Sequence, residues 1–143
     1  MTEADGLFVY GTLREGGAHH GWLRRTHPEG WTRAWTPGRL FHLPEGYPAM
    51  VVQAALDSPP PGQGWVTGLF VGYETPEDLA RALEDLDALE GVEEDLFTRE
   101  VVSVQLEGGD LYQAWAYLFH VERLPRLVRG AVEVPDGDWA PWL

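Results

Sequence analysis

The sequence contains no cysteine, lysine, asparagine or isoleucine among its 143 residues. Without cysteine, the chain has no disulfide framework, no thiolate nucleophile and no cysteine-ligated zinc site. Without lysine, it has no phosphate-binding GxxxxGK[ST] loop, and the dinucleotide-binding GxGxxG motif is absent as well. All of its positive side chains are arginines, a skew that a G+C-rich coding sequence would produce.

Positive charge and long apolar runs are scarce. The formal net charge of -13 argues against a nucleic-acid-binding protein that follows the phosphate backbone. No apolar run approaches the ~20 residues that span a bilayer, so no membrane partner is expected. The acidic N-terminus leads directly into a strand pattern, which argues against a signal peptide. We therefore expect a cytoplasmic protein with a single domain over residues 1–143.

The pattern of apolar residues and turn residues predicts a chain rich in strands, with one good helix between them. A helical turn is expected at residues 19–25. Strands are expected at residues 6–10, 37–43, 47–52, 64–73, 98–106 and 111–119, the last two joined by the EGGD turn at 107–110. This order favours an α+β protein with a small barrel or a strongly curved sheet. The tail from residue 124 has mixed signals, and Trp139 and Trp142 are expected to pin it to the body.

The helix is indicated by its start and stop signals. Thr75 is a suitable N-cap, Pro76 suits the first helical position, and Asp78 completes a capping box. Gly91 is a natural C-terminal cap. Between these signals, apolar residues recur at helical spacing and form a stripe: Leu79, Leu83 and Leu86.

Glu90 is the acidic residue of this helix that falls within the apolar stripe. At ~100° per residue, it lies about 20° from Leu79, whereas Glu84 and Asp85 point away and Asp87 lies at the edge. Burial and the negative end of the helix dipole would both raise the pKa of a carboxyl group there, which suits a general base. Alternatively, a glutamate in a last turn reaches solvent or pairs with an arginine such as Arg99.

A glycine-containing turn follows the first predicted strand, at Tyr10, Gly11, Thr12 and Leu13. Glycine allows a ligand to approach the backbone closely, so successive N–H groups in such a turn form a concavity that binds an anion. A carboxylate is the simplest anion to expect there. The alternative is an ordinary turn from a strand into a loop.

Other functional patterns are weak. The five histidines have no metal-ligand spacing, so a metal site is not expected. Ser58 and Ser103 have no nucleophile elbow around them. Asp87 and Glu90 share one helical turn and therefore cannot flank a glycosidic bond as a glycosidase pair does.

Several segments together resemble the gamma-glutamylcyclotransferase-like family, which includes the gamma-glutamylamine cyclotransferases. They cover roughly residues 7–119 in order, and each is short. They are FVYGTLR at 8–14, GRLF at 38–41, GYPAMV at 46–51, GLF at 68–70, LDALEG at 86–91 and REVVSV at 99–104.

The resemblance implies a small mixed β-barrel with a few flanking helices and a cavity at its mouth. It implies that Glu90 is the catalytic acid/base and that Tyr10, Gly11, Thr12 and Leu13 hold the glutamyl group through backbone N–H groups. Tyr117 matches a family tyrosine that lines the cavity. This chain departs from the family at Phe97, where relatives often have a tyrosine.

The implied reaction converts a gamma-glutamyl amine or peptide into 5-oxoproline and a free amine without a cofactor. Two alternatives stay open. The first is a non-catalytic module that binds a small carboxylated metabolite in the same cavity, a hypothesis that Phe97 favours. The second is a structural or interaction protein that uses exposed tryptophans. The sequence contains no motif that identifies the leaving amine or the oligomeric state.

Overall fold

The computed structural model describes residues 4–11, 20–26, 28–42, 48–52, 64–90, 97–119, 132–134 and 137–139. These residues form seven strands and two helices. In chain order they are β1 (Gly6–Val9), α1 (His20–Arg24), β2 (Gly30–His42), β3 (Pro48–Val52), β4 (Trp65–Gly72), α2 (Pro76–Glu90), β5 (Phe97–Leu106), β6 (Leu111–Phe119) and β7 (Val132–Val134).

Five of the strands close into a mixed barrel. Its order is β2-β4-β1-β6-β5, and β5 returns to β2 where Ala34 pairs with Leu106 and Trp35 pairs with Gln105. The β1–β6 pair is parallel and the other barrel pairs are antiparallel. β3 and β7 both pair with the second half of β2. This arrangement confirms the expected α+β class and the small mixed barrel.

The first half of β2 was not predicted from the sequence. Residues 30–36 pair with β4, and two of them also pair with β5. Strands with one solvent-exposed face alternate between apolar and polar residues, but Ala34, Trp35 and Thr36 are all buried. Burial of three consecutive residues removes the alternation that identifies a strand. β7, which lies in the tail with mixed signals, is only three residues long.

Buried apolar residues form two clusters, one on each side of the barrel wall. The inner cluster takes residues from all seven strands and none from either helix, including Phe8, Met50 and Ala116. The outer cluster packs the apolar face of α2 against the wall, with Leu83 and Leu86 among its members. β1 contributes to both clusters because successive strand residues point to opposite faces.

α2 has the boundaries and the buried face that the sequence predicts. The backbone N–H of Asp78 donates a hydrogen bond of 3.1 Å to Thr75 Oγ1, which confirms the N-cap. The predicted stripe residues Leu79, Leu83 and Leu86 are buried, as is Ala82, which was not predicted, while Glu84 and Asp85 are exposed. Gly91, the expected C-terminal cap, lies outside the described residues.

Trp139 holds part of the tail against the barrel. Its side chain is buried in the inner cluster, and its Nε1–H donates a hydrogen bond of 3.1 Å to His42 Nδ1. The expectation that Trp139 pins the tail is therefore confirmed, whereas Trp142 lies outside the described residues. In the part of the chain that the structure describes, neither helix has the length and apolar character to cross a membrane.

Gly68 allows β4 to lie close to β1. A Cβ atom at Gly68 would overlap the carbonyl oxygen of Val9 and would lie 2.8 Å from Phe8 Cζ. A Cβ atom at Gly72, in the same strand, would meet no atom within 4 Å.

We expect Gly68→Ala to lower the free energy of unfolding by about 1–3 kcal/mol through overpacking, and Gly72→Ala to change it far less. Urea denaturation measures both, and equal effects would contradict this account of the packing.

Candidate functional site

Glu90, the predicted catalytic acid/base, is the last residue of α2. Its backbone belongs to the helix, but its side chain lies outside the described residues, so its orientation and its catalytic role stay predictions. The same helical turn contains Asp87, whose side chain is 26% exposed. Asp87 therefore lies at the edge of the buried face, where the sequence places it.

Tyr10 and Gly11 directly follow β1, and both are buried. A Cβ atom at Gly11 would lie 2.5 Å from Pro48 Cγ, so the first turn packs closely against the start of β3. This close approach requires glycine independently of any ligand. Thr12 and Leu13 lie outside the described residues, and the binding of an anion by this turn stays a prediction.

Tyr117 in β6 connects the first turn to α2. The hydroxyl of Tyr10 donates a hydrogen bond to the carbonyl oxygen of Tyr117. The hydroxyl of Tyr117 in turn donates a hydrogen bond of 2.8 Å to Asp87 Oδ1. Because Tyr117 is only 3% exposed, these bonds join β1, β6 and α2 in a largely dry part of the molecule. Contact between Tyr117 and a substrate stays a prediction.

Arg99 in β5 contacts the same carboxylate. It lies directly opposite Tyr117 in the β5–β6 pair, and its Nε is 2.9 Å from Asp87 Oδ1. The Nε–H bond is not directed at an acceptor, so the contact is an ion pair without a hydrogen bond at Nε. The guanidinium also lies over the ring of Trp115, with Cζ 4.6 Å from the ring centroid, a cation–π contact.

Sequence reasoning did not predict this contact group of Asp87, Tyr117, Arg99 and Trp115. It considered Arg99 only as an alternative partner for Glu90, whose side chain lies outside the described residues. The structure pairs Arg99 with Asp87. One signal was present. An acidic residue at the edge of an apolar stripe, one turn before the end of a helix, needs a partner when a sheet packs over it.

A separate groove of about 400 Å³ lies beside the first half of α2. Charged side chains dominate its lining, among them Arg25, Glu29, Asp78, Arg81 and Asp85. Its described lining residues include neither Tyr10 nor Tyr117, so it is separate from the contacts around Asp87. Among the described residues, no cluster of three histidines or acidic residues has the geometry to hold a metal ion.

Two displaced pKa values belong to other parts of the molecule. Burial raises the pKa of the Tyr73 phenol, although a hydrogen bond with the Thr26 hydroxyl lowers it in part. A hydrogen bond from Arg39 lowers the pKa of the Glu133 carboxyl group. Tyr73 precedes α2 and Glu133 lies in β7, so both shifts reflect local packing and pairing rather than the Asp87 contacts.

The sequence profile described as "Gamma-glutamyl cyclotransferase, AIG2-like" matches residues 7–141. The chain belongs to this family. Membership suggests a cyclotransferase-type activity and a small-molecule substrate. It also confirms the family resemblance that the short motifs indicate. Among proteins with curated descriptions, no sequence matches this chain significantly.

Solved structures with the same fold come from several organisms. An AIG2-like protein from Mus musculus is 24% identical, with a TM-score of 0.66 over 96% of this chain and 89% of that chain. YkqA from Bacillus subtilis is 20% identical, with a TM-score of 0.61 over 97% of this chain and 40% of that chain. A protein from Arabidopsis thaliana is 22% identical, with a TM-score of 0.57 over 90% and 85% of the two chains. At these identities the likeness establishes the fold alone.

The packing of Gly11 against Pro48 provides a test of how the first turn is held. We expect Gly11→Ala to lower the free energy of unfolding by about 1–3 kcal/mol, because the added methyl group overlaps the proline ring. In the Gly11→Ala/Pro48→Ala double variant the proline ring is absent, so the overlap does not occur. The loss of unfolding free energy in the double variant should therefore be smaller than the sum of the losses in the two single variants. Urea denaturation of the four proteins measures this coupling. Strict additivity would show that Pro48 does not constrain the turn.

Proposed function

We propose that this protein converts a gamma-glutamyl amine or gamma-glutamyl peptide into 5-oxoproline and a free amine. The observation that carries the proposal is the family match over residues 7–141, which includes both Glu90 and the Tyr10–Gly11 turn. The hydrogen bonds through Tyr117 support it. They connect these two segments, about 80 residues apart in the sequence, through one buried side chain.

The proposed reaction is an intramolecular aminolysis. The substrate's α-ammonium loses a proton to the carboxylate of Glu90, and the resulting amine attacks the γ-carbonyl carbon. A C–N bond forms to close the five-membered ring, and the bond from that carbon to the leaving nitrogen breaks. Glu90 returns this proton to the departing nitrogen, and a second proton then passes from the ring nitrogen to the released amine. The lactam therefore keeps one N–H, the amine leaves as an ammonium ion, and no proton is gained or lost overall. General acid–base catalysis of this kind typically contributes ~10²–10⁴-fold.

The remaining task of the protein is to hold the substrate in a folded conformation. Because nucleophile and electrophile belong to one molecule, holding them in the correct orientation can lower the activation free energy by up to roughly 7–11 kcal/mol. In this proposal the backbone N–H groups of Tyr10, Gly11, Thr12 and Leu13 bind the α-carboxylate. The packing of Gly11 on Pro48 supports this role, because a turn that is held rigidly presents its donors without a further ordering cost.

The spacing of α2 supports Glu90 as the acid/base. Position 90 follows Leu83 by seven residues and Leu86 by four, the separations that put helix positions on one face. Both leucines are buried against the barrel wall. The C-terminal end of a helix also disfavours a carboxylate, so we expect it to raise the pKa of Glu90 above the ordinary value, the direction that suits a general base.

We expect Glu90→Gln to lower kcat by about 10²–10⁴-fold while the protein stays folded, because the amide cannot accept the ammonium proton. Glu84→Gln is the matched control, since it makes the same change at an exposed position of the same helix. Both are assayed by chromatography of 5-oxoproline released from a panel of gamma-glutamyl amides and dipeptides. Full release by Glu90→Gln would refute the assignment.

The alternative is a module that binds a small carboxylated metabolite without turnover. Phe97, at the start of β5, favours it because the hydroxyl group of the family tyrosine is missing. Binding across the panel without any 5-oxoproline would support the module. If Phe97→Tyr then produced turnover, the missing hydroxyl would account for the difference.

A further inference from the structure

We propose that Asp87 is a positioning residue that couples the last turn of α2 to the first turn of the chain through Tyr117. The inference rests on the proposed function, because it gives Asp87 the task of orienting the helical turn that carries Glu90. Asp87 does not contact substrate in this proposal. It acts by fixing where the helix end lies relative to the Tyr10–Gly11 backbone.

The first step of the argument is that Asp87 is held by the barrel and not by its own helix. The hydroxyl of Tyr117 and the guanidinium of Arg99 both approach the same atom, Asp87 Oδ1, at 2.8 and 2.9 Å. These two residues are paired directly across β5 and β6, so the register of the sheet sets their separation. A shift of α2 along the wall would lengthen both contacts at once.

The second step is that the end of a helix needs such a contact. The last four carbonyl groups of a helix have no partner within it, and last turns fray for that reason. Asp87 and Glu90 are three residues apart, which corresponds to about 60° around the axis and 4.5 Å along it. The contacts of Tyr117 and Arg99 with Asp87 therefore limit both the rotation and the unwinding of the turn that ends at Glu90.

The third step is that the hydrogen bonds at Asp87 continue through Tyr117 to the first turn of the chain. Tyr117 donates through its hydroxyl to Asp87 and accepts through its backbone carbonyl from the hydroxyl of Tyr10. The Tyr117 ring belongs to the outer cluster, whereas Tyr10 belongs to the inner one, so the connection passes through the barrel wall. Gly11 follows Tyr10 directly. One buried residue thus ties together the two segments that the reaction requires.

The charge of Asp87 has its own role in this arrangement. An asparagine would still accept a hydrogen bond from Tyr117, but it would leave Arg99 without its ion-pair partner. Arg99 is only 28% exposed and lies over Trp115, so its guanidinium is poorly placed to turn fully into solvent. Asp87→Asn therefore tests the ion pair, and Tyr117→Phe tests the hydrogen bond, with little change of shape in either case.

The kinetic test compares Asp87→Asn and Tyr117→Phe with Asp85→Asn, an exposed control on the same helix. We expect kcat to fall about 10- to 100-fold in the first two, with KM within a factor of about three, as for a misplaced catalytic group. The double variant should lose less than the product of the two single losses, because the ion pair and the hydrogen bond hold the same carboxylate. In the Glu90→Gln background neither substitution should lower the residual rate further. Rates are compared at a temperature where circular dichroism shows every variant folded.

A second readout does not depend on turnover. Amide hydrogen exchange should become faster at residues 87–90 in both Asp87→Asn and Tyr117→Phe, with Asp85→Asn unchanged. If the wild-type protein releases no 5-oxoproline but exchange changes in this pattern, the proposed function fails and the coupling stands. If the wild-type protein is active while both variants keep wild-type kcat and exchange, the coupling is overturned and the function stands.

Discussion

The hydrogen bonding of β2 is the constraint on which the rest of the structure depends. This strand of 13 residues pairs with β4 and β5 along its first half and with β3 and β7 along its second half. Its contact with β5 closes the barrel. Closure removes the two exposed sheet edges that an open five-stranded sheet would present, and it creates a wall with an inner and an outer face. The inner face buries one apolar cluster, and the outer face receives α2.

The candidate site follows from this wall. β1 lies between β4 and β6, so its end, with Tyr10 and Gly11, comes next to Tyr117 in the barrel. α2 packs on the outside of the same strands and brings Asp87 to the Tyr117 hydroxyl. A tyrosine suits this junction because its ring fills apolar space while its hydroxyl and its backbone carbonyl serve partners on different elements. The contacts at Tyr117 therefore help to specify how α2 and the first turn are arranged.

Local patterns predicted the elements whose signals are contained within one segment. α2 has an N-cap at Thr75 and an apolar stripe at helical spacing, and the structure has both. The turn between β5 and β6 was predicted from EGGD, and the backbone N–H of Leu106 donates a hydrogen bond of 2.8 Å to the carbonyl oxygen of Asp110 across it.

The first half of β2 could not be predicted from local patterns. Its residues are buried by strands that are distant in sequence, so their burial follows no local period. The pairing of Arg99 with Asp87 could not be predicted locally either, because the register of β5 against β6 is set by the whole barrel.

The sequence by itself determined the family, the α+β class, the boundaries of α2 and the position of Glu90 at its end. These depend on short-range features, namely capping residues, helical spacing and motifs of a few residues, which exist before the chain folds. Only the tertiary structure decided that Asp87, Tyr117, Arg99 and Tyr10 form one connected group. Asp87, Arg99 and Tyr117 come from three separate elements, and Tyr10 directly follows a fourth. The distances between them are fixed by barrel closure and strand register, neither of which any local pattern encodes.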